Sequence, residues 1–212
     1  MASIADNLQA VRKRIGAVTL LAVSKGQGVE KIRAAVAAGQ RAFGENYVQE
    51  ALPKMDQVPG LEWHLIGPLQ SNKTRVAAER FDWVQTVASE KIAKRLSEQR
   101  PAALAPLNVL IQVNVSGEAS KSGVAPEDVP ALARQVVALK NLRLRGLMAI
   151  PEPGADRSRY AQVKRIYDCL KPLGVDTLSL GMSDDIDVAL AEGATMVRIG
   201  TAIFGSRHRK AA

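Results

Sequence analysis

Eight short apolar runs rich in β-branched residues recur along the chain, separated by stretches whose apolar residues fall at three- and four-residue steps. The runs span residues 19–24, 41–43, 63–66, 83–87, 107–115, 142–150, 176–180 and 196–199. Strand–helix alternation on this scale calls for a parallel sheet, and eight units suggest one closed on itself. The expected fold class is therefore α/β, a single (β/α)8 TIM-type barrel with an extra N-terminal helix. An open doubly wound sheet would want a G-x-G-x-x-G turn after the first strand, and Lys25-Gly26-Gln27-Gly28 lacks that spacing. At 212 residues the chain is shorter than the usual ~250 of such barrels, which implies short loops. The reading is one domain over residues 1–212. A leader helix covers 2–15, with Ile4, Leu8, Val11 and Ile15 on one face, the barrel covers 19–205 and a basic tail covers 206–212.

Local signals refine the helices. Val29, Ile32 and Val36 form one stripe; Tyr160, Val163, Ile166, Tyr167 and Leu170 form another, stopped by Pro172 and Gly174. Pro126 suits a first helical position. Ser183 reads as an N-cap with Asp184 and Asp185 in the first turn, and Gly193 as the residue beyond that helix's end. Cys169 falls within an apolar helical pattern and is expected to be a buried structural thiol.

Composition removes several classes. With one cysteine and two histidines, neither a disulfide, a cysteine-based zinc site nor a multi-histidine metal site is expected. No apolar run approaches the roughly 20 residues that span a bilayer, and the N-terminus does not read as a signal peptide, so a cytoplasmic location is expected. The net charge of +8 invites a nucleic-acid reading. However, residues 1–100 carry 15 basic and 10 acidic groups and residues 101–212 carry 14 and 11, so the excess is dispersed. Only Arg12-Lys13-Arg14 and Arg207-His208-Arg209-Lys210 are dense, and aromatics, at 4%, are too few to interleave with them as stacking groups.

In a parallel barrel, functional groups gather where strands end. Lys25 terminates the first run; partial desolvation at a barrel mouth would lower its pKa and suit it to Schiff-base chemistry, although a lysine opening a solvated loop is the plainer reading. Phosphate sites in barrels are commonly built after strands seven and eight. There Gly181-Met182-Ser183 opens a helix, and Gly200-Thr201 offers bare backbone beside a hydroxyl. Strand alternation turns Met196 and Arg198 the same way, and a guanidinium aimed into a barrel requires a partner, either a carboxylate or a bound anionic or heteroaromatic ligand. Lysine, phosphate cradle and arginine on one rim together suggest pyridoxal 5′-phosphate (PLP).

The stretches LLAVSK (20–25), FGENYVQE (43–50), EWHLIGPLQSNK (62–73), SKSG (120–123), LRGLMAIP (144–151), LSLGMSDD (178–185) and MVRIGTAIFG (196–205) closely resemble the pyridoxal phosphate homeostasis protein family. The resemblance implies a cytoplasmic barrel akin to the N-terminal domain of alanine racemase. It would hold PLP as an internal aldimine on Lys25, without established turnover, and keep cofactor and amino-acid pools balanced, with PLP-dependent apoenzymes as possible recipients. It further implies that Arg198 faces the pyridine nitrogen and keeps it unprotonated, that Ser183, Gly200 and Thr201 hold the phosphate, and that Asn46 is a ring-side polar contact. His64 is read as a satisfied core histidine; Asn72, Lys73 and Lys121 match motifs without a derivable role. One departure bears on the stiffness of the loop beside the lysine. The family usually continues with threonine, a basic residue and proline, and Gly26-Gln27-Gly28 stands there instead.

Two other functions fit parts of the sequence. A weak amino-acid racemase would need an acid/base on each face of the imine, for which Lys25 and Tyr47 are the candidates. In racemases the opposing tyrosine comes from a second domain and a partner chain, whereas Tyr160 and Tyr167 are expected on an outer helix. An electrostatic nucleic-acid binder is the other, and it lacks a basic patch to support it. The expectation is a PLP-binding, monomeric, non-enzymatic protein with no specific nucleic-acid, membrane or metal partner.

Overall fold

The computed structural model describes residues 2–117 and 122–205. Lys121, part of the SKSG stretch and the basic tail from residue 206 therefore lie outside the described residues. Eight parallel strands close a barrel in chain order: β1 (Thr19–Val23), β2 (Ala42–Glu45), β3 (Glu62–Leu65), β4 (Trp83–Val87), β5 (Leu107–Val113), β6 (Leu142–Ala149), β7 (Thr177–Ser179) and β8 (Met196–Ile199). Leu21 opposite Arg198 and Ala22 opposite Ile199 complete the closure between β1 and β8. Around the barrel lie α1 (Ile4–Ile15), α2 (Val29–Ala37), α3 (Val48–Gln57), α4 (Thr74–Arg80), α5 (Glu90–Gln99), α6 (Val129–Val137), α7 (Arg157–Leu170), α8 (Ile186–Ala191) and α9 (Thr201–Phe204). The expected barrel and leader helix are both present.

The helices form where the apolar stripes run and stop where their caps lie. In α1 the Ser3 hydroxyl accepts from Asp6 N–H at 3.1 Å while the Asp6 carboxylate accepts from Ser3 N–H at 3.0 Å, a capping box that starts the helix at Ile4 rather than at residue 2. Arg12, Lys13 and Arg14 complement the dipole in its last turn. Two of these cations are also committed: Arg12 donates to Ala38 O and Gln40, and Arg14 pairs with Asp187 at 2.8 Å. The stripe on α7 buries Tyr160, Val163, Tyr167 and Leu170, and the chain turns at Gly174 with φ +79°. Cys169, two residues past Tyr167, falls on the outward face and is exposed, not buried as its apolar surroundings in sequence suggested.

Most of the core lies between barrel and helices, because strands of a parallel sheet covered by helices are apolar on that face. The barrel interior is filled differently. Two small apolar groups occupy it, Leu21, Ile66 and Met196 in one and Trp83, Leu110 and Met148 in the other. Buried polar side chains, among them His64, Gln85, Ser179 and Arg198, share the barrel with them. β6 carries one residue too many for its ladder: Val109 faces Leu144 and Leu110 faces Gly146, leaving Arg145 as a bulge. That bulge turns Arg145 onto the barrel floor, where it pairs with Asp176 at 2.8 Å and lies 4.6 Å above the Trp83 ring. Gly146 has φ +146°, and a Cβ there would stand 1.9 Å from Thr177 O. Gly146→Ala is therefore expected to cost about 3 kcal/mol of stability, measured by denaturant unfolding, from backbone strain and overpacking together.

Candidate functional site at the C-terminal mouth

The site begins with the turn after β1. Gln27 N–H donates to Ser24 O at 3.0 Å, and Gly26 supplies φ +70° at the third position of that turn, a conformation glycine adopts without steric cost. Half-buried Lys25 sits at its apex. A buried ionic cluster braces the turn on both sides of the lysine. Lys54 Nζ, from α3, donates to Ser24 O at 2.8 Å and to Glu45 and Glu50 at 2.7 Å each. Glu50 also accepts from Gly26 N–H, and the Ser24 hydroxyl donates to Glu45 at 2.6 Å. Burial pushes the Glu45 carboxyl above the ordinary carboxylate range, against the pull of Lys54. Loop stiffness in this chain thus comes from Lys54 and its two carboxylates.

β2 runs two residues beyond its expected end at Phe43, so Glu45 is a strand residue that pairs with Leu65. Gly44 permits this extension: a Cβ on it would press within 3.1 Å of Leu21 and Ile66 inside the barrel. Asn46 follows directly. Gly67, after β3, packs so closely that a Cβ would lie 2.1 Å from Asn46 O, which fixes the Asn46 backbone at the rim.

Arg198, on β8, faces inward as the alternation predicted and is 4% exposed. Among the described residues its hydrogen bonds do not go to a carboxylate, the first of the two partners expected. Nη1 donates to the Ser179 hydroxyl at 2.8 Å and Nη2 to Ala149 O at 2.9 Å, both neutral oxygens. Burial pushes the guanidinium pKa down to about 10, with only Asp185 opposing. Directly beyond β8, Gly200 packs against the end of β1, where a Cβ would lie 3.1 Å from Val23 O. Thr201 next to it is exposed.

A cavity of about 580 Å³ opens at this mouth. Asn46, Gly67, Gln112, Asn114, Ile150, Tyr160 and Asp185 are among its lining residues, and Glu152 and Asp184 make its rim acidic. Lys25, Ser183, Arg198, Gly200 and Thr201 are not in the lining: the cavity draws its wall from the loops after β2, β3, β5, β6 and β7, whereas Lys25 and Gly200 lie at the β8–β1 edge. Arg198 reaches under that wall through Ala149, whose next neighbours Ile150 and Pro151 line it.

Ser183 is not the N-cap of α8. The Asp185 carboxylate accepts from Met182 N–H and from the Tyr160 hydroxyl (2.7 Å), which closes a turn over residues 183–185 and starts the helix at Ile186. Ser183 stays half-buried between two cavity-lining neighbours, Met182 and Asp184. Tyr160 is on the outer helix as expected, yet its hydroxyl reaches the cavity, and burial together with Asp185 raises its pKa. Among the described residues no three side chains of metal-ligating type cluster, and no helix is long and apolar enough to cross a membrane.

Sequence reasoning missed Gln85, Ser179, Tyr160 and the Glu45–Lys54–Glu50 cluster as parts of the site. Gln85 and Ser179 did leave a signal, since each is a polar residue at an inward position of a short buried strand. His64 is fully buried and satisfied, as expected, by Gln85 and Glu62.

A parallel barrel with an inward arginine on its last strand and a lysine just beyond its first defines a barrel of the alanine racemase N-terminal type. The family model for "Alanine racemase, N-terminal domain" matches residues 1–208. A Pseudomonas aeruginosa protein named pyridoxal phosphate homeostasis protein is 58% identical, the match covering 98% of this chain and 97% of that one. The chain belongs to the pyridoxal phosphate homeostasis protein family. Synechococcus elongatus PipY, 39% identical, superposes with a TM-score of 0.90 without PLP and 0.87 with PLP bound, over 96% of this chain and 100% of that one. An alanine racemase from Corynebacterium glutamicum, at 20% identity, shares the fold with a TM-score of 0.80 over 99% of this chain and 62% of its own.

Burial depresses the His64 pKa below its ordinary 6.5, the Glu62 contact opposing it in part. The folded state therefore holds a neutral ring where the unfolded state takes up a proton. Its contribution to stability is complete above pH ~6.5 and is lost as pH falls below that, at up to about 1.4 kcal/mol per pH unit. Unfolding free energies measured between pH 7 and 5 should carry this slope, and His64→Gln should remove it.

Proposed function

We propose that this chain binds PLP at the C-terminal mouth of the barrel, covalently through Lys25 Nζ, and acts in cofactor and amino-acid homeostasis without catalytic turnover. The observation that carries this reading is Arg198, a buried cation whose hydrogen bonds among the described residues go to neutral oxygens beneath an open cavity. Such a group suits a polar heteroaromatic ligand above it. The residues fit the cofactor: a lysine on a braced turn, a guanidinium across the neighbouring strand, and Gly200 and Thr201 closing the same edge. The name of the Pseudomonas aeruginosa relative and the PLP in Synechococcus elongatus PipY support the same ligand.

When bound, PLP supplies an electrophilic carbonyl carbon for an amine and a pyridine ring that can draw electrons from it. Arg198 faces the ring nitrogen and, being cationic, disfavours a proton there, which weakens the ring as an electron sink. Ser183, Gly200 and Thr201 hold the phosphate and Asn46 contacts the ring side. Asp185 would repel the phosphate, but its oxygens are engaged by Met182 N–H and the Tyr160 hydroxyl. The reading places the protein in the cytoplasm as a monomer that can deliver PLP to apoenzymes.

Racemase chemistry needs a second base opposite Lys25. Tyr47 is 62% exposed and borders a separate hollow of about 200 Å³ with Gln70 and Lys73, and Tyr160 is held as a phenol by Asp185. Neither is poised as that base. Addition of PLP should give a visible absorbance band, and borohydride should fix the label on Lys25; Lys25→Ala should lose both. A protein that takes up no PLP would refute the binding. Exchange of amino-acid α-protons should stay at background, and turnover abolished by Lys25→Ala would refute the non-enzymatic role.

A further inference from the structure

A single line of hydrogen bonds joins the mouth of the barrel to its floor. Arg198 Nη1 donates to Ser179 Oγ at 2.8 Å, and Ser179 Oγ donates to Gln85 Oε1 at 2.7 Å. Gln85 Nε2 lies 2.9 Å from His64 Nδ1, and His64 Nε2 lies 2.8 Å from Glu62 Oε1. Glu62 opens β3 at the floor, where its side chain is 46% exposed, and every other member is buried.

The direction of each bond follows from the last. A carboxylate only accepts, so His64 carries its proton on Nε2 and Nδ1 accepts. Gln85 must then turn its NH2 toward His64 and its carbonyl toward Ser179. The serine proton goes to that carbonyl, which leaves a lone pair facing Arg198. Flipping the Gln85 amide would require the other imidazole tautomer, with a bare Nε2 lone pair against the Glu62 carboxylate. The floor carboxylate excludes that arrangement, and Trp83, stacked on His64 at 4.9 Å and 9°, holds the ring in place.

We propose that Glu62, His64 and Gln85 are positioning residues for Arg198, aligning its guanidinium for the cofactor ring from the opposite end of the barrel. This rests on the PLP reading above. It goes beyond that reading by assigning control of the ring-facing cation to a half-exposed carboxylate on the floor.

The test uses the 15N-labelled full chain, first without and then with PLP. In the wild type His64 should show one neutral tautomer protonated on Nε2. Glu62→Gln can pair with either tautomer; it should give a mixture and move the Arg198 guanidinium resonances, and Glu62→Asp should restore both. With PLP bound, Glu62→Gln should release the cofactor about threefold to tenfold faster, the loss of about one hydrogen bond's net contribution. Gln85→Leu should do the same if it folds; Glu62→Gln, at a half-exposed position, carries the test if it does not. Unmoved Arg198 resonances in folded Glu62→Gln would overturn the proposal whether or not PLP binds. Moved resonances with an unchanged release rate would also overturn it, because the line would then order Arg198 without serving the cofactor. Moved resonances in a protein whose wild type takes up no PLP would leave the positioning standing and refute the PLP reading instead.

Discussion

The burial of one positive charge governs the interior of this barrel. A guanidinium removed from water loses far more solvation than neutral hydrogen bonds return, and Arg198 meets only a hydroxyl and a carbonyl among the described residues. A line of buried polar side chains is arranged around that deficit. Ser179 and Gln85 extend its hydrogen bonding inward, and His64 links them to a carboxylate that water still solvates in part. The apolar filling is accordingly split into two small groups, because an unbroken hydrocarbon core would leave these groups unsatisfied.

The lysine at the mouth is handled by opposite means. Its charge-bearing neighbours are ionic and compact: one buried lysine, two carboxylates and a serine hydroxyl hold the backbone on either side of Lys25. Helix α3 and the turn after β1 are thereby tied together, so the lysine's position is referred to a helix as well as to its own strand. One side of the mouth is stiffened by ion pairing and the other by directed neutral hydrogen bonds. The two meet where β1 and β8 close the sheet.

Much of this was legible in the sequence because periodicity reports burial directly. Eight apolar runs gave eight strands, and the inward turn of Arg198 followed from its spacing to Met196. What escaped depended on three-dimensional neighbours. Ser183 looked like an N-cap because serine before two aspartates is a helix-start pattern, but Asp185 is drawn off by Met182 and Tyr160 and the helix starts later. Cys169 looked buried because apolar residues surround it in sequence, while its angular position on α7 faces outward. Lys54 is marked locally only by its i,i+4 spacing to Glu50, which on an amphipathic helix reads as a solvated pair, and the juxtaposition of α3 with β2 adds the buried Glu45 carboxylate.

The contact between Gly67 and Asn46 has an evolutionary corollary. The wall of the mouth at Asn46 is shaped by a residue that contributes no side chain, pressed against a backbone carbonyl twenty-one positions earlier. Changes at position 67 would be filtered by what they do to the shape of a pocket they do not chemically enter. A search for function that scores only reactive groups would pass over this position, although any side chain there would displace the wall of the mouth.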